Sequence, residues 1–447
     1  MMHAFIKKSV VVLSGFVLVA CSTTARFNPI QTISQIDTQS GYRLMNNISH
    51  KKDEALIVLA LSGGGTRAAA LGYGVLEEFN KVTLHNGKTL LDSIDLVFGV
   101  SGGSILAAYF SLHGTDTIPR FEQSFLNQDF QHNLIMQAVS IANIPKLATA
   151  EYGLGDLLQE ELENYLFEHR TFADLTHHRK GPFAVISATD MGSGQRFDFT
   201  QETFDAMCLN LESLRIARAV ASSSAVPVVF SPLTLNNNGG NCNYHIPEYK
   251  LPISSNPLSQ QQKTASELAT ELKQYENSKK RPFIHLLDGG LTDNLGLRNI
   301  LEIASLSKSK TTILPERIRH IVVINVNAQS KLQSSIDQSA NVPSLSDVIN
   351  TVINVPIDQN SIASIRQFRS FVDEWNNHQN SLSPDKRIQF YFINLNLYDL
   401  PNGPFRAETL VIPTTLHLPK KDIHNLRKAA KILLQQSSDY QNFLDNL

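Results

Sequence analysis

The stretch Ile94-Asp95-Leu96-Val97-Phe98-Gly99-Val100-Ser101-Gly102-Gly103 decides how this chain reads. Ile94–Phe98 is an apolar run suited to a strand buried on both faces. It leads directly into a G-x-S-x-G pentapeptide and then a helical stretch from Ile105 to Leu112. In that setting the glycines permit a tight turn that lifts the serine hydroxyl clear of the sheet. The hydroxyl then stands at a helix N-terminus, where free N–H groups and the helix dipole favour developing negative charge. The pentapeptide alone arises by chance in about one chain in ten of this composition. Its strand-turn-helix context is what makes Ser101 a candidate nucleophile.

The same rhythm recurs on either side. Ala55–Leu61 is a second buried-strand pattern, followed by Ser62-Gly63-Gly64-Gly65-Thr66-Arg67 and a helical stretch to Phe79. This turn lacks the G-K-[ST] ending of a phosphate loop, and Ala68 stands where a dinucleotide fingerprint needs its last glycine. Turns at the carboxyl ends of parallel strands face one crevice, so its backbone N–H groups can serve an oxyanion on the substrate of Ser101. The alternative is a plain close turn. Phe283–Leu287 leads into Asp288-Gly289-Gly290 and sets a carboxylate at the same edge. Desolvation there would raise its pKa above the ~3.9 reference and make it a better base toward a serine hydroxyl. Asp293 and Asn294 are better placed to cap the next helix.

Further strands are expected in Phe183–Ala188, His320–Val326 and Arg387–Leu397. Phe125–Phe167 reads as helical and able to roof a site, and Ile423, Leu426, Ala430, Leu433 and Leu434 mark a C-terminal amphipathic helix. The expected class is α/β, with a mostly parallel central sheet covered by helices on both faces. Leu233–Lys280, rich in Asn, Gln, Ser and Pro, breaks the pattern and reads as an insertion over the sheet edge.

The 447 residues carry 39 Lys and Arg against 41 Asp and Glu, with no block of five like charges, which argues against a nucleic-acid partner. A hydrophobic fraction of 42% excludes a disordered chain. The three cysteines, Cys21, Cys208 and Cys242, contain no C-x-x-C metal or redox pair. Cys21 ends an N-terminal pattern of its own. Lys7 and Lys8 precede an apolar run from Val10 to Ala20, too short to span a bilayer and built like an export signal. The ending Leu18-Val19-Ala20-Cys21 resembles the lipobox of bacterial lipoproteins, which implies acylation of Cys21. Ser22 after it then implies the outer membrane of a Gram-negative cell. The alternatives are a plain secretory signal or a buried helix with a chance cysteine. Cys208 and Cys242 would lie in an oxidising exported domain and are candidates for a disulfide, with two buried free thiols as the alternative.

The glycine loop, the G-x-S-x-G turn and Asp288-Gly289-Gly290, in this order and together with Arg218-Ala-Val-Ala-Ser-Ser-Ser-Ala-Val-Pro227 and Ile412-Pro413-Thr414-Thr415-Leu416, resemble the patatin-like phospholipase family. The resemblance implies the patatin-like variant of the α/β-hydrolase fold. It implies Ser101 as nucleophile and Asp288 as its base, without metal or cofactor. Gly63, Gly64 and Gly65 with Arg67, and Gly102 after the serine, would form the oxyanion and substrate-binding element. The implied reaction is hydrolysis of fatty acyl esters of a phospholipid or lysophospholipid; oligomeric state is left open. One rival is a Ser-Asp-His carboxylesterase using His417 or His424. Another is a non-catalytic lipid-binding lipoprotein. No site role falls to Arg218. The expected organisation is a signal over 1–20, a lipidated N-terminus and tether over 21–54 packing in part through Phe27, Tyr42 and Leu44, and a hydrolase domain over 55–447 with an insertion at about 233–281.

Overall fold

Strand β1 (Ala55–Leu61), buried except at its first residue, lies inside the sheet, as its uninterrupted apolar run requires. The computed structural model describes residues 27–446 apart from 86, 247–259, 308–313, 331–333 and 339, so the signal, Cys21 and the middle of the expected insertion lie outside the described residues. The other strands are β2 (Leu96–Val100), β3 (Phe183–Asp190), β4 (Gln195–Asp198), β5 (Leu233–Asn236), β6 (Phe283–Leu287), β7 (His320–Asn327) and β8 (Gln389–Asn396). They form one sheet in the order β5-β6-β3-β2-β1-β7-β8, with β4 beside β3. From β3 to β8 every pairing along that order is parallel, while β4, β5 and β6 pair antiparallel.

The sheet is mostly parallel, as expected, and the antiparallel direction of β6 within it matters for the site. β3 overhangs its neighbour: Val100 at the end of β2 pairs with Ser187, so β2 leaves β3 unpaired from there to Asp190. β4 folds back along Ser187–Asp190 on the side away from β2. The overhang on the β2 side is taken by the last residues of β6, Leu286 and Leu287, running antiparallel. The two strands therefore meet end to end, and the residues that come after them, Ser101 and Asp288, arrive at one point.

The helices around the sheet include α1 (Gly65–Phe79), α2 (Gly102–His113), α3 (Phe130–Ala138), α4 (Leu154–Tyr165), α5 (Ile216–Ser223), α6 (Gln260–Lys273), α7 (Gly290–Asp293), α8 (Leu297–Ser307), α9 (Leu345–Gln379) and α10 (Lys420–Gln436). The C-terminal α10 packs its apolar face against α1, as its spacing predicts. The 35-residue α9 has no counterpart in the sequence reading; its second half lies on β8 through Phe368, Val372 and Trp375. Among the described residues no helix is long and apolar enough to cross a membrane.

The N-terminal segment is more deeply packed than a tether. Tyr42 is buried, stacks 3.9 Å from Phe183 and exchanges hydrogen bonds with both the N–H and the carbonyl of Ala184. Arg43 pairs with Asp205 at 2.7 Å, both nearly sealed from solvent. The expected insertion is also corrected at its start, because Leu233–Asn236 is edge strand β5. Beyond it, Asn237 ties the outgoing chain to the returning one through the carbonyls of Tyr275 and Arg281. A disulfide joins Cys208 to Cys242, and Arg281 and Tyr275 both bond the buried carboxylate of Asp190.

Candidate active site

The elbow after β2 holds Ser101 at φ 50°, ψ −125°, a region that side-chain-bearing residues rarely occupy and that costs about 1–3 kcal/mol. Neighbours over-determine it. The Ser101 N–H donates to Ser223 Oγ at 2.8 Å, and Ser223 Oγ donates in turn to the Ser187 carbonyl at 2.6 Å. The carbonyl of Ser223 accepts from the Gly289 N–H at 3.1 Å. One residue at the end of α5 thus joins the nucleophile turn to the loop after β6. Sequence reasoning missed it, because Ser222, Ser223 and Ser224 are indistinguishable until their carbonyls and hydroxyls are placed.

Ser101 Oγ donates to Asp288 Oδ2 at 2.7 Å, with no residue between them. The other oxygen, Oδ1, accepts from the Gly290 N–H at 2.8 Å, and the Asp288 backbone is fixed by the Ala225 carbonyl and by Thr189 Oγ1. Burial pushes the Asp288 carboxyl up to about 6, opposed by the hydrogen bonds from Ser101 and Gly290. At neutral pH it is thus mostly ionised yet a far better proton acceptor than an exposed aspartate.

The two glycine turns touch. A Cβ on Gly102 would lie 2.0 Å from the Gly65 carbonyl oxygen, so the N-termini of α1 and α2 approach as closely as backbones allow. Gly65 itself has φ +59° and faces the Thr415 carbonyl, which accepts the Thr66 N–H at 2.8 Å. Among the described residues the N–H groups of Gly64, Gly65 and Gly102 meet no acceptor, which leaves them for a ligand anion. Gly63 differs from its expected part: its N–H is engaged by the Asn294 carbonyl at 3.0 Å. Arg67 differs too. Its buried guanidinium donates to the carbonyls of Ala328 and Ile412, 2.8 and 2.9 Å away, and fastens the loop rather than offering its charge to a substrate. Desolvation lowers its pKa to about 10, so it remains a cation.

His417 turns its ring to the Gln128 carbonyl and lies 3.9 Å from Asp129, and no hydrogen bond joins His417 or His424 to Ser101 or Asp288 among the described residues. Arg218 is held by Asp156, Gln159 and the Thr234 carbonyl. Among the described residues no group of three His, Cys, Asp or Glu is arranged to hold a metal ion.

Several solved structures are similar to this one. Human GIVD cytosolic phospholipase A2 is similar in structure with 11% identity and a TM-score of 0.44, over 90% of this chain and 64% of that one, so this chain spans less than two thirds of its length. VipD from Legionella pneumophila is similar with 12% identity and a TM-score of 0.30, over 96% of this chain and 72% of that one. The ExoU-SpcU complex of the Pseudomonas aeruginosa type III secretion system gives 14% identity and 0.24, over 91% and 82%. No curated protein matches by sequence. The family model for patatin-like phospholipases matches residues 59–301, more than half of the chain and the span that includes the glycine loop, Ser101 and Asp288, so the chain belongs to the patatin-like phospholipase family.

Proposed function

We propose that the protein is a serine acyl-ester hydrolase that cleaves fatty acyl chains from a phospholipid or lysophospholipid through a Ser101–Asp288 dyad. The observation that carries this reading is the direct 2.7 Å hydrogen bond between the strained serine and a buried carboxylate. Asp288 takes the hydroxyl proton as Ser101 Oγ attacks the acyl carbonyl, and the oxyanion meets the N–H groups of Gly64, Gly65 and Gly102. The proton passes to the departing alcohol, leaving an acyl-serine. Water then attacks that ester, with Asp288 accepting its proton and returning it to Ser101 Oγ as the fatty acid leaves. The same reading keeps the acylated Cys21 and an exported, outer-membrane location, supported by the N-terminal sequence pattern alone.

Active-site labelling tests it. A fluorophosphonate probe is expected to modify the protein at Ser101, and Ser101→Ala is expected to abolish labelling and lower ester hydrolysis by about 10³-fold or more. Labelling elsewhere, or full activity in the folded variant, would sink the proposal. The histidine rival is separated by the double variant His417→Gln/His424→Gln. Its ester hydrolysis should stay within about twofold of the parent, since a triad would lose several orders of magnitude.

A further inference from the structure

The active-site edge carries aliphatic side chains with nothing over them. In the first half of α9, Leu345 is 75% exposed, Val348 47%, Val352 67% and Val355 36%. Their three- and four-residue steps line one face of the helix. From Val348 to Ile357 there is no charged side chain. The second half of the same helix covers its aromatic residues with β8, whereas this face of the first half is left exposed.

Its neighbours place this half-helix beside the site. Asp358 lies near enough to the buried Arg67, beside the glycine loop, for each to shift the other's ionisation. The helix also packs on α7, directly after Asp288. Three more exposed valines lie close in the chain to residues that hold the site. Val228 and Val229 come just after Ala225, whose carbonyl fixes Asp288, and Val411 precedes Ile412, whose carbonyl holds Arg67.

We propose that this apolar rim, led by Leu345, Val348, Val352 and Val355, is the surface by which the protein docks on a phospholipid bilayer; the inference rests on the hydrolase reading of Ser101. The helix that carries the rim packs on the segment that follows Asp288, beside a serine that is itself only 7% exposed. A protein partner or a second copy seated there would crowd the way to that serine, whereas a bilayer brings substrate with it. The chemistry agrees. Aliphatic side chains without charges suit the boundary between headgroups and acyl chains, and they offer no salt-bridge pattern to specify a protein. Docking should therefore depend little on anionic lipid or on salt.

The test uses the mature chain over 21–447 carrying Cys21→Ser, so that neither the apolar signal over 1–20 nor an acylated N-terminus contributes, with and without Val348→Asp/Val352→Asp. Four readouts are compared: flotation with phosphatidylcholine vesicles, hydrolysis of those vesicles, hydrolysis of monomeric p-nitrophenyl butyrate, and mass in solution by light scattering. The double variant is expected to lose flotation and at least about tenfold in vesicle hydrolysis, with the soluble-ester rate and thermal midpoint unchanged. Flotation and vesicle hydrolysis equal to the parent would overturn the proposal. So would a parent dimer that the variant splits while vesicle hydrolysis persists. Should neither substrate be hydrolysed by the parent, the hydrolase reading falls, and flotation alone still decides the surface.

Discussion

Asp288→Asn is expected to lower kcat/KM for ester hydrolysis by about 10³–10⁴-fold while leaving a folded protein. The amide retains an oxygen for the Gly290 N–H, but it can present an NH₂ to Ser101 Oγ, which then has nothing to receive its proton. In the parent enzyme the base must be ionised, so kcat/KM should fall along a single acid limb below a pKa of about 6, and the residual rate of the variant should lack that limb. Stability should move the opposite way. A carboxyl whose pKa is higher in the folded than in the unfolded chain weakens the native state as pH climbs between the two values, here from about 4 to about 6, and the full cost remains above that window. Removing the charge should therefore stabilise the variant by about 3 kcal/mol at pH 8 and by almost nothing near pH 4, read from denaturant unfolding at both. Activity within tenfold of the parent would show that Asp288 is not the base.

The second large effect is structural in origin. Gly102→Ala is expected to destabilise the fold by about 3 kcal/mol or more and to abolish activity. The new methyl carbon would lie 2.0 Å from the Gly65 oxygen and 2.5 Å from its carbonyl carbon, and both belong to backbone. Gly65 has little room to retreat, since its own environment is the backbone of Thr415. Gly194→Ala supplies the contrast. It has φ +70° but open space around it, so only the left-handed strain of about 1–2 kcal/mol should appear, with activity retained. Equal denaturation midpoints for parent and Gly102→Ala would mean that the two helix N-termini are not in contact.

What could be read beforehand was what is written locally. Ser101, the glycine loop and Asp288 each come directly after a short apolar run, and such strand-turn patterns survive any tertiary context. The direction of β6 was not legible, because five residues with Phe283 half exposed carry no mark of parallel or antiparallel pairing. The loss of Gly63 to Asn294 was hidden for the same reason, since the bond joins residues far apart in the chain. Arg67 looked like an offered charge because its acceptors are backbone carbonyls, which have no sequence signature. Helix α9 escaped notice because Pro356 sits inside it and its two halves present different apolar faces. Cys208 and Cys242 could be paired only as one of two alternatives; the structure joins them with Cα atoms 5.7 Å apart.

The fastening at the foot of the insertion has an evolutionary consequence. Both strands of the excursion are clamped where they leave and rejoin the sheet, by Asn237, by the disulfide and by the Asp190 latch. Chain added or exchanged beyond that clamp costs only slowly growing loop entropy, about 0.6 kcal/mol per doubling of length. The segment that precedes Asp288 is therefore an exchangeable module: its sequence can drift or be swapped between relatives while β6 still delivers the carboxylate to the serine.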